Sequence, residues 1–121
     1  MTETTNPKQY DLEDRTLAFA RRSRELVAKL TKTVGNIEDG KQLVRASGSV
    51  GANYIEANEA LSKKDFVMRI KICRKEAKEA RYWLRLIDTT EEVRNNQVRD
   101  ELIQEATELM NIFGAILQKA R

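Results

Sequence analysis

The chain has 121 residues, 34% of them charged, with a formal net charge of +3, one cysteine and no histidine. That length fits one domain with a core that needs no staples, and the lone Cys73 excludes an internal disulfide framework and a cysteine metal cluster. Without histidine, the Ser-His-Asp and Cys-His nucleophiles and histidine metal sites are excluded, and no apolar run approaches the roughly 18 residues of a membrane span.

The N-terminal MTETTNPKQYDLEDR is polar, with no signal-peptide pattern, which makes a cytoplasmic protein the expectation. Residues 1–10 hold the only proline, Pro7, and are expected to be a flexible lead-in to one domain over 11–121. Helix one is predicted over Asp11 to Val34. Leu12, Thr16, Phe19, Ser23, Leu26, Leu30 and Thr33 recur by four and three on one inward face, widened by Ala20, Val27 and Val34. Gly35-Asn36 reads as its stop, since either residue can take the left-handed conformation.

Helix two is predicted over Glu38 to Leu61, with Leu43, Ala46 or Ser47, Val50, Asn53 or Tyr54, Ala57 and Leu61 inward. Its RASGSVGANYIEAN stretch has no charge between Arg45 and Glu56 and is rich in small residues. It reads as the most enclosed helix of an all-helical domain. Gly48 and Gly51 each cost about 1 kcal/mol against alanine, which makes sense where another helix crosses closely. Ser47, Ser49 and Asn53 read as polar groups satisfied by nearby backbone. A nucleophilic serine fails here, because Ser49 lies in SGSVG, outside a nucleophile elbow, and no histidine base exists.

Ser62 is the predicted N-cap of helix three, with Asp65 at N3, and that helix runs to Asp88. Phe66, Ile70, Cys73, Ala77, Ala80, Leu84 and Ile87 alternate steps of four and three, as knobs-into-holes packing requires. Cys73 lies inside that stripe as a structural thiol. Residues 63–87 carry nine basic and three acidic groups, which makes them the electropositive segment of the chain. Lys71, Arg74, Lys75, Lys78, Arg81 and Arg85, with Lys64 and Tyr82 beside them, form one flank suited to phosphate backbones. The alternative is a solvated face neutralised in part by Glu76, Glu79 and an acidic helix four. The other flank carries Met68, Ile72, Glu79, Trp83 and Leu86, about 120–160° from the core stripe by the 100° step. A lone bundle cannot easily cover both, so this flank is the expected subunit interface, with Glu76 and Glu79 met by arginines of a neighbour.

Residues 88–96 are predicted as a turn and loop, and helix four over Asn96 to Lys119. Val98, Leu102, Ala106, Leu109, Phe113, Ile116 and Ala120 face inward, and Gly114 marks a close contact. Four helices with short links predict an all-α, antiparallel up-down four-helix bundle. Glu56 with Glu59 and Glu76 with Glu79 are the carboxylate pairs an enzyme could use, but four-helix di-metal sites add Glu-x-x-His, which this chain lacks. No catalytic, cofactor or metal residues are assigned.

The stretch from Arg45 to Ile87 resembles the four helix bundle protein family. This is also known as the 23S rRNA intervening-sequence protein family, and it includes accessory proteins of diversity-generating retroelements. The residues that carry the resemblance are Arg45, Ser49, Asn53, Glu56, Ser62, Asp65, Phe66, Glu76, Ala77, Glu79, Tyr82, Trp83, Leu84 and Leu86. DLEDRTLAFA, from Asp11, fits more loosely, and Ala57-Asn58 departs where many relatives carry a glycine. The resemblance implies a homopentameric ring and no enzyme activity. It also implies RNA or DNA as partner, with a reverse transcriptase in some relatives. A protein–protein adaptor without nucleic-acid binding is the second expectation.

Overall fold

A proline opens the bundle, and two threonines set its first connection. In the computed structural model, which describes residues 7–120, helix α1 spans Pro7–Lys29. Its first residue is a proline, whose missing N–H costs nothing there. The start lies four residues before the expected one. Residues 1–6 of the expected lead-in lie outside the described residues. After Lys29 the chain turns through Leu30, Thr31, Lys32 and Thr33. Thr33 is the N-cap of α2, Val34–Asn58, and its hydroxyl accepts from the Asn36 N–H at 3.1 Å. Gly35-Asn36 therefore opens α2 instead of closing helix one, and no described glycine has a positive φ. β-Branched Thr31 and Thr33 resist the helix, and the cap satisfies a free donor at once. Val34, expected inward, stands 82% exposed on that first turn.

Asn36 is also the clamp between two loops. Its Nδ2 donates to the Thr31 carbonyl at 2.9 Å and to the Asp88 carbonyl at 2.8 Å, while its Oδ1 accepts from the Asp88 N–H at 2.9 Å. The α1–α2 and α3–α4 connections are thus joined at one end of the bundle. The latter connection passes through Thr90 and Glu91 at φ 54° and 60°, held by an Asp88 carboxylate that accepts from the Thr90 N–H at 2.8 Å.

Ser62 caps α3, Lys63–Leu86, accepting from the Asp65 N–H at 3.0 Å as expected. Because α2 ends at Asn58, Leu61 lies in the connection and is fully exposed, although it was expected in the core. Glu92 caps α4, Val93–Lys119, accepting from the Asn95 N–H at 2.7 Å. The helix thus starts three residues before the expected Asn96.

The four helices form an up-down bundle in which α2 packs most broadly on α3, α3 on α4, and α1 on α2, with the narrowest seam between α1 and α4. The predicted stripes are the core: Leu12, Phe19 and Leu26 from α1, Leu43, Val50 and Tyr54 from α2, Ile70, Cys73, Ala77 and Leu84 from α3, and Leu102, Leu109 and Phe113 from α4 are all buried. Burial pushes the Cys73 thiol up to about 12, so it stays neutral. The glycine line of α2 faces α1. A β-carbon on Gly51 would stand 2.9 Å from Thr16 Oγ1, and one on Gly40 would stand 2.8 Å from a Val27 methyl. Small residues there let the α1 and α2 backbones approach.

Candidate nucleic-acid interface

A helix whose core stripe is continuous must place everything else outward, and α3 divides its outside in two. Lys71, Arg74, Lys75, Lys78 and Arg85 are exposed along one side. Among the described residues, none of these five has an ion-pair partner. Arg81 differs. It is half-buried, and its guanidinium donates to Thr107 Oγ1 on α4 at 3.1 Å. Arg74 leans the same way, its Nε 3.9 Å from where a β-carbon of Gly114 would stand. This is the contact that marks Gly114. Lys71, Arg74, Lys75 and Lys78 then rim a groove of about 650 Å3 between α3 and α4, floored by Val67, Met110, Leu117 and Ala120. Arg81 and Arg85 are not part of its wall.

The acids that could have neutralised this row are spent elsewhere. Glu105 of α4 accepts from Arg15 of α1 at 2.7 Å, Glu108 from the same guanidinium at 3.0 Å, and Glu101 from Arg22 at 2.5 Å. The Arg22 hydrogen bond holds the Glu101 carboxyl below its usual range. Bonds from Gln104 and then Arg15 do the same for Glu108. Glu76 and Glu79 of α3 both pair with Arg45 of α2. The arginine expected from a neighbouring subunit is therefore supplied by this chain. That pair of carboxylates shares one guanidinium of α2, and neither has an ion pair with the basic row.

On the other flank Met68 and Leu86 are 48% and 49% exposed, while Ile72 and Trp83 are half-buried. Trp83 packs against the core, and its Nε1–H is buried without an acceptor among the described residues. Glu79 is half-buried on Arg45.

One functional-looking motif proves to be a latch. Asn53 Nδ2 donates to the Ser49 carbonyl at 2.9 Å and to Ser49 Oγ at 3.0 Å, and its Oδ1 accepts from Arg69 Nη1 at 3.0 Å. Ser47 Oγ donates to the Val44 carbonyl at 3.2 Å. These small polar groups tie α2 to itself and to α3. Sequence reasoning missed Arg69, whose only signal is its position one turn after Asp65 on the side of α3 facing α2.

The sequence pattern described as 23S rRNA-intervening sequence protein matches residues 8–115. The fold is similar to a crystal structure of a protein of unknown function from the S23 ribosomal protein family of Bacteroides thetaiotaomicron VPI-5482. The two are 32% identical with a TM-score of 0.79, and the match covers 92% of this chain and 98% of that one. Among curated proteins, none matches the sequence. No helix among the described residues is long and apolar enough to cross a membrane.

Proposed function

The chain belongs to the 23S rRNA-intervening sequence protein family, and from that premise we propose a non-enzymatic, oligomeric bundle that binds the backbone of RNA or DNA, or scaffolds a ribonucleoprotein, through the basic face of α3. The observation that carries this reading is the row Lys71, Lys75, Lys78 and Arg85, exposed and without ion pairs among the described residues, while Glu76, Glu79, Glu101, Glu105 and Glu108 are engaged by Arg45, Arg15 and Arg22. Cations left in this state exchange their solvent counter-ions for phosphates, and the release of ions from the nucleic acid drives association. Contacts from these cations go to phosphates, so affinity without strong sequence preference is expected. A reverse transcriptase with its RNA is one ribonucleoprotein such a bundle could scaffold, and the work is cytoplasmic.

Oligomerisation is supported by the adjoining apolar flank. Met68, Leu86, Ile72 and Trp83 leave apolar area open that a second copy could cover. A pentameric ring would multiply weak phosphate contacts. The same flank favours the second reading, an adaptor that docks proteins and no nucleic acid.

The test is a titration of the full chain against labelled RNA and DNA, with its native mass measured alongside. Lys71→Glu, Lys75→Glu and Lys78→Glu together should abolish binding while leaving the mass unchanged. Binding that survives this reversal, or an unaltered protein that binds neither polymer at low salt, contradicts the proposal. Capture of a protein partner that resists nuclease and high salt would favour the adaptor.

A further inference from the structure

Among the described residues, Tyr82 is the one aromatic side chain that stands exposed, at 56%. A tyrosine is normally placed to bury its ring, and this one sits in the middle of the cationic row of α3. Lys78 lies one turn before it and Arg85 one turn after, about 6 Å and about 4.5 Å away along the axis. Neither cation has an ion-pair partner among the described residues. The ring is also backed. Trp83 meets it in a T-shaped contact, with centroids 5.0 Å apart and planes at 79°. Trp83 itself packs against the core, so Tyr82 rests on a fixed neighbour.

We infer that Tyr82 is a stacking platform for an unpaired nucleobase, and that the basic face of α3 therefore takes single-stranded nucleic acid in preference to duplex. This rests on the nucleic-acid reading of that face. Every base has a π-face to offer, so the contact is tolerant of sequence, as the phosphate contacts of Lys78 and Arg85 are. A base in a duplex is already stacked between its neighbours and presents only its edges, which leaves Tyr82 nothing to cover. A duplex could still touch the lysines. The energy from the ring is thus available to one form of the polymer and not to the other.

The experiment measures binding of the full chain to a labelled uridine oligomer, alone and annealed to its adenosine complement, over a range of salt. Tyr82→Ala and Tyr82→Phe are the variants, and because the side chain is exposed both should fold, as circular dichroism and melting would show. The unaltered protein should prefer the single strand. Tyr82→Ala should lose on the order of ten- to a hundred-fold in affinity for it, with the salt slope unchanged and duplex binding unaffected. Tyr82→Phe should bind like the unaltered protein. If Tyr82→Ala weakens both forms equally or neither, while binding still depends on Lys71, Lys75 and Lys78, the platform is overturned and the basic-face reading stands. If the unaltered protein binds neither form, both fall together.

Discussion

Arg45 Nη2 of α2 stands 3.4 Å from Glu76 Oε1 of α3, and the same nitrogen also pairs with Glu79. One guanidinium thereby answers two of the three carboxylates within α3. Glu76 is only 7% exposed, and Arg45 is its ion-pair partner. With these acids turned toward α2, and Glu101, Glu105 and Glu108 of α4 turned toward α1, the cations of α3 are left to solvent. Core packing and the α1–α4 ion pairs shape the electrostatics of the outer face.

Removing Arg45 should therefore destabilise the fold. Arg45→Met leaves a buried carboxylate without a counter-ion, at a cost of about 2 kcal/mol. That is less than a fully buried pair would lose, because Arg45 is half exposed. Adding Glu76→Gln should recover most of the loss. Urea unfolding of the single and double variants measures both effects.

Asn36 should be replaceable by neither alanine nor aspartate. Alanine forfeits three side-chain hydrogen bonds to Thr31 and Asp88, worth about 2–3 kcal/mol together. Aspartate keeps the shape and the acceptor for the Asp88 N–H, but sets a charge against two carbonyl oxygens and should be at least as damaging. Thermal melts of the two variants decide this, and a harmless Asn36→Asp would refute the clamp.

Two glycines of α2 should respond with opposite signs. Gly35 has open space around its Cβ position, so Gly35→Ala should stabilise by up to about 1 kcal/mol. Gly51→Ala gains the same helix preference but drives a methyl to 2.9 Å from Thr16 Oγ1, and the net effect should be destabilising. Thr16→Ala should make the second change tolerable. Denaturation midpoints for the three variants provide the check.

Cys73 should be silent toward thiol reagents in the native protein. Its thiol is pushed up to about 12 by burial, against an unfolded value of about 8.5. A raised folded value means the group favours the fold fully below about pH 8.5. That contribution is lost as pH rises from there toward 12. Labelling with a chromogenic disulfide at pH 8 should follow global unfolding, and rapid labelling of the folded chain would contradict the packing.

The four core stripes were legible in the sequence because steps of three and four encode an inward face directly. The α3 stripe matches residue for residue from Ile70 to Ile87. The connections were less legible. Gly35-Asn36 carries a local stop signal, yet the Thr33 cap and the bonds from Asn36 to Asp88 override it, and the second of these is a tertiary fact with no local trace. Leu61 looked apolar and in register, but α2 had already ended. The basic row was visible as composition and spacing. That its neutralisers had been claimed depended on which helix the acids of α4 would face, and composition alone does not say. Arg81 illustrates the same limit: its spacing puts it near the row, and Thr107 draws it onto α4.

The most direct measurement is the salt dependence of RNA binding by the full chain. The four aligned cations Lys71, Lys75, Lys78 and Arg85 predict that log K falls against log salt with a slope of about −3 to −4 per bundle, steeper if several copies engage one strand. Reversing Lys71, Lys75 and Lys78 should collapse both the affinity and the slope. A flat salt dependence, or one that the reversal leaves unchanged, would contradict a phosphate-binding role for this face.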